Sequence, residues 1–171
     1  MKTDFASGMV IALLAMTAAA QTAETTRAAG VPQRGDHVMG FDHTKTTHHF
    51  QLTPSGGRIE VEAKDPADSE SRDLIRTHLT HIAKMFSEGE FDAPMLIHER
   101  VPPGVPVMKE LKAAIRYDFQ PTERGGSVVL STRNARALEA VHQFLRFQIE
   151  DHKTGDSLKI EKEPNTSKRG S

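Results

Sequence analysis

The chain has 171 residues, a formal net charge of −1 and no cysteine. That length accommodates one domain and a little more, and the lack of cysteine excludes a disulfide framework, a lipoprotein anchor and a thiolate metal site. Basic residues are scattered, without the basic face that nucleic-acid binding needs, so nucleic acid is not expected as a partner.

Residues 1–20 read as a signal peptide. Lys2 gives a weakly positive start, Met9 to Met16 is a short apolar run, and Ala18-Ala19-Ala20 supplies small residues before a cut ahead of Gln21. The run falls short of the roughly 20 apolar residues a membrane span needs, and no other segment is apolar enough to cross a membrane. The expectation is an exported product, periplasmic or secreted, with no membrane span. Residues 21–40 are small and polar and are broken by Pro32, Gly35 and Gly40, which reads as a flexible leader.

A single α+β domain is expected over 41–156. From His48 to Thr53 the chain alternates, with His48, Phe50 and Leu52 on one face; Gly56-Gly57 marks a turn, and Ile59, Val61 and Ala63 continue the inward face. A helix over about 71–88 follows, with Ile75, Leu79, Ile82 and Phe86 at helical spacing and Gly89 as its C-cap. The segment 89–114, with Pro94, Pro102, Pro103 and Pro106, reads as an extended connector apart from Met95-Leu96-Ile97 and a short helix near 108–112. Ile115, Tyr117 and Phe119 then alternate, and Val128, Leu130 and Thr132 return. Asn134 caps a helix carrying Leu138, Val141, Leu145 and Ile149.

These are two ββα units, 48–88 and 115–155, with the character of an internal repeat. Leu52 and Pro54 match Phe119 and Pro121, and Gly56-Gly57 matches Gly125-Gly126. Since each apolar face needs a cover, the expected architecture is a four-stranded antiparallel sheet with both helices on one side, each over its own hairpin. Residues 157–171 are charged and polar and are expected to be disordered.

Nine histidines in a chain without cysteine make metal binding the leading functional expectation. His78, His81 and Met85 share one strip of the first helix. His48 lies on the inner face of the first strand and His142 on the second helix, with His152 at its end. Imidazole and thioether are ligands that copper accepts, and imidazole suits zinc, so the candidate metal residues are His48, His78, His81, Met85 and His142, with copper or zinc as the ion. His43 and His37 with His49 form a weaker surface set, and His98 and Glu99 lack an identifiable partner. The runner-up is an interaction module that pairs with itself, as a homodimer, or with a periplasmic protein through its sheet. An enzyme ranks third, because no His-Glu-x-x-His or other catalytic spacing is present.

Several longer motifs carry a resemblance: Gly40-Phe41-Asp42-His43 leading to Lys45-Thr46-Thr47-His48-His49-Phe50, then Val101-Pro102-Pro103-Gly104-Val105, His142 to Ile149, and Asp151-His152-Lys153-Thr154-Gly155-Asp156. With these the chain, from Arg34 to about Asp156, resembles a family of small exported bacterial proteins of unknown function. The resemblance implies export and supplies no activity. Some members of that family carry an aspartate carbamoyltransferase label, and Ser131-Thr132-Arg133-Asn134 is similar to the Ser-Thr-Arg-Thr phosphate loop of those enzymes. Here the fourth residue differs and the chain is too short for such an enzyme.

Overall fold

The computed structural model describes residues 21–22, 25–27 and 29–162. The expected signal peptide and the end of the tail lie outside the described residues. In chain order the elements are α1 (Val31–Met39), β1 (Thr46–Thr53), β2 (Gly56–Ala63), α2 (Ser69–Glu88), α3 (Asp92–His98), α4 (Val105–Glu110), a 3-10 turn (Lys112–Ala114), β3 (Ile115–Pro121), β4 (Gly125–Thr132) and α5 (Ala135–His152). The strands form one antiparallel sheet in the order β1-β2-β4-β3. The core lies between one sheet face and the two long helices, so the α+β class and the ββα units are as the alternation implied. No described helix is long and apolar enough to cross a membrane.

The two hairpins join through β2 and β4 in a pairing that reads the same from either side: Gly56 faces Ser131, and Gly125 faces Glu62. His48 opposes Val61 as Tyr117 opposes Leu130, and Phe50 opposes Ile59 as Phe119 opposes Val128. Phe119 therefore corresponds to Phe50 rather than to Leu52. Aligning Pro54 with Pro121 misplaces the match, because Pro54 is in a turn and Pro121 in a strand.

The glycine pairs begin the returning strands; the turns themselves are Pro54-Ser55 and Glu123-Arg124. A Cβ on Gly56 would strike the Leu130 carbonyl, and one on Gly125 the Val61 carbonyl. Backbone cannot step aside as a side chain can, so these glycines permit the hairpins to meet. Gly125→Ala is expected to destabilise the fold by about 2–3 kcal/mol or more. Gly155→Ala, at φ +78° but with open space around it, should cost only about 1 kcal/mol. Urea unfolding of the two variants checks the contrast.

Asp68 caps α2 by accepting from the Ser71 amide, and Asn134 caps α5 by accepting from the Ala137 amide. The helices do not roof their own hairpins, contrary to the expectation. Instead α2 lies chiefly over β3 and β4, while α5 packs most against β1. One polar anchor fixes each. Arg76 donates to the carbonyls of Thr122 (2.5 Å) and Gly125 (3.0 Å), and His142 donates from Nε2 to the Thr53 carbonyl (2.9 Å). Because β2 and β4 are neighbours at the sheet centre, a helix following either can lean over the other half. Doing so ties the hairpins together.

The leader and connector are more structured than expected. Pro32 sits in the first turn of α1, where its missing amide hydrogen is harmless, and Gly40 ends the helix at φ +78°. Val31, Phe91, Ile97, Val105 and Met108 are buried; each such side chain stabilises by about 1.5–3 kcal/mol, enough to hold α1, α3 and α4 against the body. The start of the tail is ordered too. Ile160 bridges Leu52, the Glu161 amide donates to the Leu52 carbonyl (2.8 Å), and Arg146 donates to the Leu158 carbonyl. This segment covers the β1 edge. The β3 edge carries Arg116 and Asp118, charges that discourage strand pairing.

Candidate functional site: a histidine-walled hollow

Two spaces sit back to back where β1, α5 and α1 converge. The inner one is a cavity of about 70 Å³ between α2 and α5, over β1 and β2 and roofed by α3. Phe50, Ile59, Ile82, Pro94, Ile97 and Phe144 give it an apolar lining, and His48, His78, His98, Gln148 and His152 interrupt that lining. The outer space is an open vestibule of about 400 Å³ beside α1, walled by Thr46, Thr47, His43, His49, Lys64, Lys153 and Thr154 among others. Met39, His48 and His152 line both; they form the partition.

The fold brings these rings together from distant parts of the chain. Strand alternation turns His48 to the same side as Phe50. There it stacks on Phe41 (centroids 6.1 Å, 23°) and on His152 (5.9 Å, 13°). Phe41 also meets His78 edge-on at 5.6 Å, and His152 meets His98 edge-on at 5.0 Å. Phe41 thus contacts both His48 and His78. Offset and edge-to-face contacts of this kind contribute about 0.5–1.5 kcal/mol each beyond their area.

Burial dominates the electrostatics. It pushes the His48 pKa down to about 4, helped by repulsion from His78 and His49. Burial, with His81 nearby, takes His78 to about 4. Burial, with His98 and His48 adding to it, takes His152 to about 3. At neutral pH these are uncharged imidazoles with an available lone pair. Nε2 of His48 is buried without a hydrogen-bond partner, and among the described residues none of the hydrogen bonds involves the rings of His78 or His152.

Beneath this group lies a buried polar network. His98, fully buried, places Nδ1 2.6 Å from Asp151 Oδ2 and Nε2 2.9 Å from the Gln148 amide. Arg27 grips Asp151 with two bonds of 3.0 and 3.1 Å and also donates to the His98 carbonyl. Burial works to raise the Asp151 pKa, but hydrogen bonds from Arg27 and His98 outweigh it and hold the carboxyl below its ordinary value. Burial likewise lowers the His98 pKa against the pull of Asp151. A neutral His98 donating to Asp151 accepts at Nε2, so Gln148 must turn its NH2 towards it. In either amide orientation one Gln148 atom remains buried without a partner, in a side chain that lines the cavity.

At the vestibule rim, Lys153 caps α5 in the left-handed conformation (φ 54°, ψ 40°). Glycine or asparagine is usual there, and a lysine costs about 1 kcal/mol. Lys64 donates to the Thr44 carbonyl (2.8 Å). Among the described residues, no carboxylate pairs with either ammonium, and no acidic residue lines the vestibule.

Of the residues expected to bind metal, His48 and His78 reach the cavity. His142 does not: its Nε2 is spent on the Thr53 carbonyl at the hairpin turn. His81 is exposed and Met85 half-buried on α2, and neither lines the hollow. Among the described residues, the one group of three metal-type side chains whose ligand atoms lie within 4.8 Å of one another is Asp36, Asp42 and His43, where His43 and Asp36 are already bonded to each other (2.7 Å). His49 pairs with Asp156 (2.9 Å) and Glu99 with Arg34 (3.3 Å). In the Ser131–Asn134 loop, Asn134 is occupied in capping α5. His98 and Asp151 were not legible as partners because nothing in their spacing links them. The fold and site define an α+β protein with a histidine-lined hollow. Comparison with protein-family models, curated proteins and solved structures finds no match.

Proposed function

We propose that this is a small binding protein, exported as its first twenty residues suggest, and that its ligand occupies the hollow at the partition formed by Met39, His48 and His152. One observation carries the reading: a larger, more polar vestibule and a small apolar cavity share these three residues as a common wall. Methionine has three rotatable bonds and repacks easily, so the wall contains a movable member. The wall also holds a buried imidazole nitrogen without a partner, a group that a ligand would satisfy. The test is NMR of the histidine imidazoles during titration with small alkyl alcohols and acids. The His48, His78 and His152 signals should move together, and Ala93→Leu, which fills the cavity from α3, should suppress the movement. Signals that ignore every probe would remove the hollow as the site.

A second reading, a first-row metal, is favoured by the low pKa values that leave His48 and His152 as free bases at pH 7. Zinc or copper would then raise the melting temperature by mass action, and His48→Ala with His152→Ala would abolish the rise. Self-association through a sheet edge has less support, since one edge is covered and the other carries charge.

A further inference from the structure

The chemistry of the two compartments differs enough to specify what would span them. This rests on the reading of the hollow as a binding site and adds the class of ligand. Lys64 and Lys153 are among the residues that line the vestibule, and no acidic side chain lines it. Lys153 holds its place at a backbone position that disfavours it. The inner cavity is mostly apolar, and its lining includes two side chains with a buried polar atom lacking a partner, His48 and Gln148. Gln148 is 4% exposed, and bulk water cannot serve it.

We propose that the hollow binds a short-chain carboxylate carrying a second oxygen at its far end. The carboxylate sits in the vestibule beside Lys64 and Lys153, the carbon chain passes the wall of Met39, His48 and His152, and the terminal oxygen meets His48 and Gln148. Size limits the chain. The cavity is about half the ~150 Å³ apolar cavity that accepts benzene, so it admits about three carbons, with about two more needed to cross the wall.

The probes are therefore 6-hydroxyhexanoate, hexanoate, 1,6-hexanediol and acetate, titrated into the full chain at low ionic strength by calorimetry, with the imidazole signals followed by NMR. 6-Hydroxyhexanoate should bind tightest. Hexanoate, which leaves the buried polar atoms unmet, should be about tenfold weaker or more. 1,6-Hexanediol should be about fivefold weaker, since contacts with exposed lysines are modest and screened by salt. Acetate should not register. Lys64→Met with Lys153→Met should equalise the affinities for 6-hydroxyhexanoate and 1,6-hexanediol. Equal binding of acid and diol by the unaltered protein would overturn the anion assignment while leaving the hollow as a site. Equal binding of hexanoate and 6-hydroxyhexanoate would overturn the terminal oxygen. If no probe moves the His48 and His152 signals, the binding-site reading falls as well.

Discussion

Asp151→Ala is expected to destabilise the protein by about 3–5 kcal/mol, the range for removing one partner of a buried ion pair. The Asp151 side chain is 6% exposed and receives both arms of Arg27, itself 13% exposed, as well as the ring of His98. Removing the carboxylate takes from Arg27 and from the His98 ring a buried partner that they share, while Arg27 retains its bond to the His98 carbonyl. An exposed pair with equally good geometry provides the comparison. Arg136 and Glu110 meet through two bonds of 2.6 and 2.7 Å, with both side chains more than half exposed, and Glu110→Ala should cost less than about 1 kcal/mol. Urea unfolding at pH 7.5 measures both. Similar losses would mean that burial of the Arg27–Asp151 pair contributes little.

The second large effect is on acid stability. His48, His78 and His152 have folded-state pKa values of about 4, 4 and 3, against about 6.5 in an unfolded chain. Above pH 6.5 both states are neutral at these positions and the shifts have no effect. As pH falls below 6.5 the unfolded state takes up protons that the folded state refuses, so stability declines until the folded pKa values are reached. Near pH 5 the difference approaches three protons, a slope of up to about 4 kcal/mol per pH unit. By pH 4 the summed loss is about 9 kcal/mol, comparable with a total of about 5–15 kcal/mol, so the fold should be strongly weakened there. Carboxylates such as Asp151 and Asp156, held low in the fold, add their losses in a lower window. Urea midpoints at pH 7.5, 6 and 5 test the slope, and His152→Phe, which keeps a ring in the stack, should reduce it by about one proton. Equal midpoints at pH 7.5 and 5 would mean that these histidines titrate normally.

The strands, the long helices and the shared side of the sheet were legible because each rests on local periodicity, with Gly89 marking the end of one helix and Asn134 the start of the other. Three features were hidden from such signals. The helix α1 has few apolar residues, and its order depends on contacts with α3 and α5 that are distant in sequence. The lean of each long helix depends on Arg76 and His142 reaching a turn in the other half, and nothing around either residue indicates that. The site followed the same division. His48 was legible as inward because strands alternate, and His78 because it flanks an apolar stripe. His142 has the same signature and serves a hairpin turn. The link from His98 to Asp151 joins a proline-rich connector to the end of a helix, and only the folded chain brings them together.

The exchange of roofs has a consequence for assembly. A nascent chain that has emerged as far as residue 88 possesses a hairpin and a helix, but the strands that helix covers have not yet been made. The first half must wait, its apolar stripe uncovered, until β3 and β4 appear, and the last helix then returns to close over strands synthesised first. Such interlocking raises the sequence separation of the stabilising contacts and slows folding. It also couples the two halves, since each long helix packs mostly over the other hairpin.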